Sequence, residues 1–74
     1  MTMSKTQAAE ILADHVKVAL RRRDLRPSAE TVAAILDEGA NCTKGSLLWL
    51  AFDAGPSNRT VLARVRQTWK ESWT

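Results

Sequence analysis

The stretch that decides the fold is Thr43-Lys-Gly-Ser-Leu-Leu-Trp-Leu-Ala-Phe52, followed by Asp53-Ala-Gly-Pro-Ser57 and Asn58-Arg-Thr-Val-Leu-Ala-Arg-Val-Arg-Gln-Thr-Trp69. Thr43 is a good N-cap, and Leu47 to Phe52 read as a short apolar helix. Asp53 to Ser57 breaks that helix twice, because Gly55 is free to take positive φ and Pro56 cannot continue the ladder. Ser57 then offers an N-cap for a second helix. From Asn58 onward Val61, Leu62, Val65 and Trp69 fall within about 100° of arc, with Trp73 just beyond. The opposite face carries Arg59, Thr60, Ala63, Arg64, Gln67 and Lys70, and Arg66 lies at the flank. The first of these helices is apolar all round, so it needs cover on every side. Leu47, Leu50 and Ala51 are expected inward, with Trp49 or Phe52 at a dimer contact.

Upstream, the pattern continues as helix. Ser4 with Gln7 three residues on has the form of a capping box. Ala8, Ile11, Leu12, Val16, Ala19 and Leu20 recur at helical spacing, and His15 sits at the edge of that face as a packed, hydrogen-bonded side chain. Arg21-Arg22-Arg23 closes the helix with positive charge where the macrodipole is negative. Those three arginines point about 100° apart, so they form a corner able to grip phosphates, not a single reading face. Asp24 to Pro27 is a linker, since proline biases Arg26 away from helical geometry. Ser28 caps a second helix with Glu30 in its first turn, Val32, Ala33, Ile35 and Leu36 on its buried face, and Gly39 as a left-handed stop. Ala40-Asn41-Cys42 is a connector. Cys42 has Thr43 and Lys44 beside it, which is compatible with a lowered thiol pKa, but with no base or second thiol to accompany them it reads as a small semi-buried residue.

The expectation is therefore a single all-α domain, residues 1–74: a compact bundle of four helices at about 5–23, 29–38, 44–53 and 58–72, containing a helix-turn-helix. With 45% apolar and 26% charged residues the chain is globular, and no segment alternates long enough for a strand. One cysteine forbids an internal disulfide and fits a reducing compartment. The apolar run Leu47 to Phe52 is far short of the roughly 20 residues that span a bilayer. Met1-Thr-Met-Ser-Lys5 lacks a signal-peptide core, so a cytoplasmic location without membrane contact is expected. A single His, a single Cys, no Tyr and no phosphate-binding glycine loop or metal-ligand spacing argue against an enzyme and against a cofactor.

Charge is distributed unevenly. Arg21, Arg22, Arg23 and Arg26 less Asp24 give +3, Glu30, Asp37 and Glu38 give −3, and Arg59, Arg64, Arg66 and Lys70 less Glu71 return +3. The basic face of the last helix suits a DNA major groove. Arginine forks onto guanine O6 and N7, glutamine pairs with adenine N6 and N7, and Thr60 or Ala63 can touch a thymine methyl. Arg59, Thr60, Arg64 and Gln67 are thus the expected base contacts. Lys44, Ser57, Asn58 and Lys70 are the expected phosphate contacts, with Arg21, Arg22 and Arg23 on the flank. Double-stranded DNA is the expected partner, and a homodimer the expected form.

In a helix-turn-helix a small residue sits where the second helix crosses the first, with glycine four positions on. Ala51 and Gly55 fit. Leu62 and Val65 supply the later apolar pair if the turn is one residue longer than the commonest form. Thr31 to Trp69 also resembles the N-terminal DNA-binding domain of KfrA-type plasmid proteins, through Asp37-Glu-Gly39, Thr43, Gly55-Pro-Ser57, Asn58-Arg-Thr-Val61 and Trp69. That resemblance implies a winged or plain helix-turn-helix followed by a long coiled coil. No such coil follows here, so the expectation is a bare domain acting as a small phage or plasmid transcriptional regulator. The alternative is a small inhibitor from a mobile element that binds a bacterial host protein, such as RNA polymerase, a nuclease or a defence complex. Its interface would be a Trp/Arg surface built on Trp49, Phe52 and Trp73, because tryptophan and arginine anchor interfaces.

Overall fold

The computed structural model describes residues 3–39 and 42–72. Among these, four helices and no strand are present: α1 Lys5–Arg22, α2 Ala29–Leu36, α3 Leu47–Ala51 and α4 Arg59–Ser72. Ala40 and Asn41, expected in a connector, and Trp73, expected at an interface, lie outside the described residues.

Local chemistry sets most of the boundaries. Ser4 and Gln7 form the full capping box: the Gln7 N–H donates to the Ser4 hydroxyl and the Ser4 N–H to the Gln7 side chain, both at 3.1 Å. The α1 C-terminus is a Schellman closure. Leu25 N–H reaches back to the Leu20 carbonyl at 2.9 Å and Asp24 N–H to Arg21 at 3.0 Å, with Asp24 at φ 58. Ser28 caps α2 by accepting the Thr31 N–H. That helix ends at Leu36, two residues before the expected 38, as the chain turns toward Gly39 at φ 70.

The start of α3 differs from expectation. Thr43 to Ser46 is a β-turn closed by Ser46 N–H on the Thr43 carbonyl at 3.1 Å, with Gly45 at φ 91. Positive φ at the third turn position cannot belong to a right-handed helix. Ser46, not Thr43, is the N-cap, accepting the Trp49 N–H at 3.2 Å. The helix shrinks to five residues, Leu47–Ala51.

The core is organised by α1, which packs against each of the other three helices, while α3 also meets α2. Ala8, Leu12, Val16, Ala19 and Leu20 from α1 close on Val32 and Ile35, on Leu48, Ala51, Phe52 and Ala54, and on Val65 and Trp69. Leu12, Leu48 and Val65 are completely buried, each stabilising the fold by about 1.5–3 kcal/mol. Leu48 and Ala51 are thus the sealed face of α3, whereas Leu47 and Leu50 are half-buried.

His15 is buried with the core, and its Nδ1–H donates to the Ala51 carbonyl at 2.8 Å. Gly55 is the complement of that ring. Its φ lies outside the positive region, against expectation. It is glycine-sized because a Cβ there would overlap the His15 imidazole. The connection from α3 to α4 runs over residues 52–58, seven residues where the commonest helix-turn-helix has three or four.

Candidate nucleic-acid interface

α4 begins at its own cap. Asn58 Oδ1 accepts the Val61 N–H at 2.9 Å, and the Asn58 carbonyl accepts the Leu62 N–H at 2.9 Å. Asn58 is therefore the N-cap expected of Ser57; the cap takes its Oδ1, and the Nδ2 amide is the donor it can offer a phosphate. Ser57 is half-buried in the turn before it.

Beyond the cap the helix divides as its periodicity dictates. Val65 and Trp69 are buried and Val61 and Leu62 half-buried, all packed against the core. Arg59, Thr60, Ala63, Arg64, Gln67 and Lys70 are all exposed. Among the described residues, Arg59, Arg64 and Lys70 take part in no ion pair. One acid shares this side: Gln67 Nε2 donates to Glu71 Oε1 at 3.2 Å, so the glutamine carries an internal bond.

Arg66, at the flank, is held from two sides. Its Nη2 lies 3.1 Å from Asp53 Oδ1, and its guanidinium carbon stands 5.1 Å from the centre of the Phe52 ring. The pair is exposed and adds at most about 1 kcal/mol. Its geometric effect is larger, since it ties the α3–α4 connection to the middle of α4. Acid and base thirteen residues apart leave no pattern by which sequence could have found it.

The remaining candidates scatter. Lys44 is exposed in the turn before α3. Arg21, Arg22 and Arg23 are exposed at the end of α1, where Arg22 and Arg23 border a shallow depression with Ala19, Leu50, Asp53 and Ala54. Trp49 keeps 43% of its surface open. Phe52, proposed beside it as an interface residue, is buried at 7%, because its ring is roofed by Arg66 and packed into the core. Trp49 and the buried Phe52 and Trp69 line a cleft with Cys42, Arg66 and Lys70, which the sequence did not show. Cys42 is half-buried, as its sequence context suggests, and burial first and Glu38 second push its thiol above its ordinary pKa.

Comparison with known proteins finds no family, no curated relative and no solved structure that matches this chain. Its own geometry carries the functional reading. No helix among the described residues is long and apolar enough to cross a membrane.

Proposed function

We propose that this chain binds double-stranded DNA through the outward face of α4 and acts as a small transcriptional regulator. One observation carries the reading. Arg59, Thr60, Arg64, Gln67 and Lys70 stand together in solvent on a helix whose other side is sealed by Val65 and Trp69. A helix so mounted can enter the major groove, and the small exposed Ala63 at the centre of its face permits close approach to base edges. The scaffold holding it is α1 more than α3, since α1 makes the broadest contact with α4. The arginines ending α1 supply the flanking phosphate contact. The resemblance of residues 31–69 to KfrA-type plasmid domains supports the same direction.

The test is a titration on a labelled duplex at two salt concentrations. Neutralising about five phosphates gives a log–log slope near −4.5. Binding that ignores salt would remove the reading. Arg59→Ala and Arg64→Ala should each weaken binding by about 1–3 kcal/mol if they meet bases.

The rival, an inhibitor of a host protein, draws support from the exposed Trp49. The burial of Phe52 reduces the surface it would use. A pull-down from a nuclease-treated bacterial lysate separates the two: a stoichiometric protein partner favours the inhibitor.

A further inference from the structure

Among the described residues, Leu25 and Trp49 are the large apolar side chains left exposed. Leu25 stands alone after α1. Trp49 borders the cleft between α3 and the C-terminal half of α4, a space of about 110 Å³ lined by Cys42, Phe52, Arg66, Trp69 and Lys70. Three aromatic rings and two cations meet there. The Arg66 guanidinium is committed to Asp53 and Phe52, whereas Lys70 takes part in no ion pair among the described residues. Glu38 and Lys70 both act on the Cys42 thiol, the first against a negative charge there and the second for it, and among the described residues Lys70 is the lining cation that no carboxylate pairs.

An occupant matched to this cleft carries a flat apolar body and an anion beside it. We propose that the cleft holds one unpaired nucleotide of a nucleic-acid strand, its base against Trp49 and its phosphate at Lys70. Aromatic platforms beside cations bind bases in this way whatever their identity, because every base has a π-face. A protein partner fits less well. Stable protein interfaces bury about 800 Å² per side, and here Phe52 and Trp69 are nearly sealed, leaving Trp49 as the exposed ring. The proposal rests on the DNA reading of α4 in one respect: Lys70 belongs to both surfaces, so a strand leaving a duplex along α4 arrives at the cleft.

The test uses the whole chain and three ligands: a blunt duplex, the same duplex ending in a few unpaired thymidines, and oligothymidylate. Affinity is read by anisotropy and contact by quenching of tryptophan fluorescence. The unpaired tail should tighten binding at least about fivefold, the lower end of what one stacked base contributes. Trp49→Leu should abolish that gain and leave the blunt duplex unaffected, with helicity checked by circular dichroism. Lys70→Gln should flatten the salt slope on oligothymidylate by about 0.7. The proposal is overturned by a tail that adds nothing, or by a gain that survives Trp49→Leu. Quenching by an acidic Glu/Leu peptide but not by oligothymidylate overturns it in favour of a protein partner. Blunt-duplex binding without a tail effect defeats the cleft alone. Trp49-dependent binding of oligothymidylate without blunt-duplex binding defeats the duplex reading and leaves the cleft standing.

Discussion

Gly55 lies against the imidazole of His15 so closely that a Cβ at that position would overlap the ring atoms. The same ring donates to the Ala51 carbonyl at 2.8 Å, so one buried side chain fixes both the end of α3 and the connection to α4 onto α1. Gly55→Ala should therefore destabilise by about 1–3 kcal/mol through overpacking. His15→Ala should lose about 2–4 kcal/mol, chiefly from the cavity and in part from the shorter of two hydrogen bonds to the Ala51 carbonyl, which keeps the Ala54 N–H at 3.3 Å. The pair is coupled. In the His15→Ala background the Gly55→Ala change should become nearly harmless, since its methyl then enters the vacated space. Urea unfolding of the two single variants and the double variant checks this, and simple additivity would show that the glycine is required for another reason.

Asp24 offers the opposite case, a residue whose replacement should help. It holds φ 58 at the end of α1, where an L side chain is disfavoured and glycine is the natural occupant. Both hydrogen bonds of the closure come from backbone groups, so Asp24→Gly leaves them intact. The expected gain is about 0.5–1 kcal/mol, less the small entropy that glycine returns to the unfolded chain. Thermal unfolding should show a midpoint a few degrees higher. An unchanged or lower midpoint would mean that the aspartate makes up for its backbone strain elsewhere.

What sequence could reveal here was what is local. Ser4 with Gln7 and Ser28 with Thr31 are side-chain-to-backbone bonds spanning three residues, and such spacing is visible in a string of letters. The division of α4 into buried Val65 and Trp69 and exposed Arg59, Arg64 and Gln67 follows from the 3.6-residue period alone. Thr43 and Ser46 are equally good caps by composition. The choice between them was made by Gly45, whose positive φ ends any helix begun at Thr43. His15 with Ala51, thirty-six residues apart, and Arg66 with Asp53, thirteen apart, depend on how α1 crosses the α3–α4 connection. No periodicity encodes that crossing, so the burial of Phe52 and the cleft beside Trp49 stayed hidden.

Cys42 should behave as an unreactive thiol near neutral pH. Burial and then Glu38 raise its pKa, which holds it in the protonated form. Alkylation by iodoacetamide at pH 7.5 should run slower on the folded chain than on the urea-unfolded one, because the thiolate is the nucleophile. Stability follows the same sign. A thiol with its folded pKa above the unfolded value, about 8.5, contributes fully below that pH and loses its contribution as pH rises through the folded value. The chain should therefore weaken in mildly alkaline solution, and Cys42→Ala should remove that part of the pH dependence. Equal alkylation rates in folded and unfolded protein would contradict the shift.

Asp53 sits where a competing anion would have most effect. Its carboxylate holds Arg66 at 3.1 Å and borders the depression lined by Arg22 and Arg23, between the basic end of α1 and the basic side of α4. If both basic groups face one duplex, Asp53 opposes the phosphates that approach them. Asp53→Asn removes that charge, keeps the shape and leaves Arg66 free to meet a phosphate. The stability loss should stay below about 1 kcal/mol, because the carboxylate side chain is 72% exposed. Duplex affinity should rise several-fold at low salt, and the salt slope should steepen by up to about 0.9, the share of one further phosphate. Glu30→Gln, which removes the same charge from the first turn of α2, is the control for net charge alone. If both variants gain equally, the effect is long-range and Arg66 takes no part. If Asp53→Asn alone gains, and loses the gain when Arg66→Ala is added, the α1 corner and the α4 face act on the same strand.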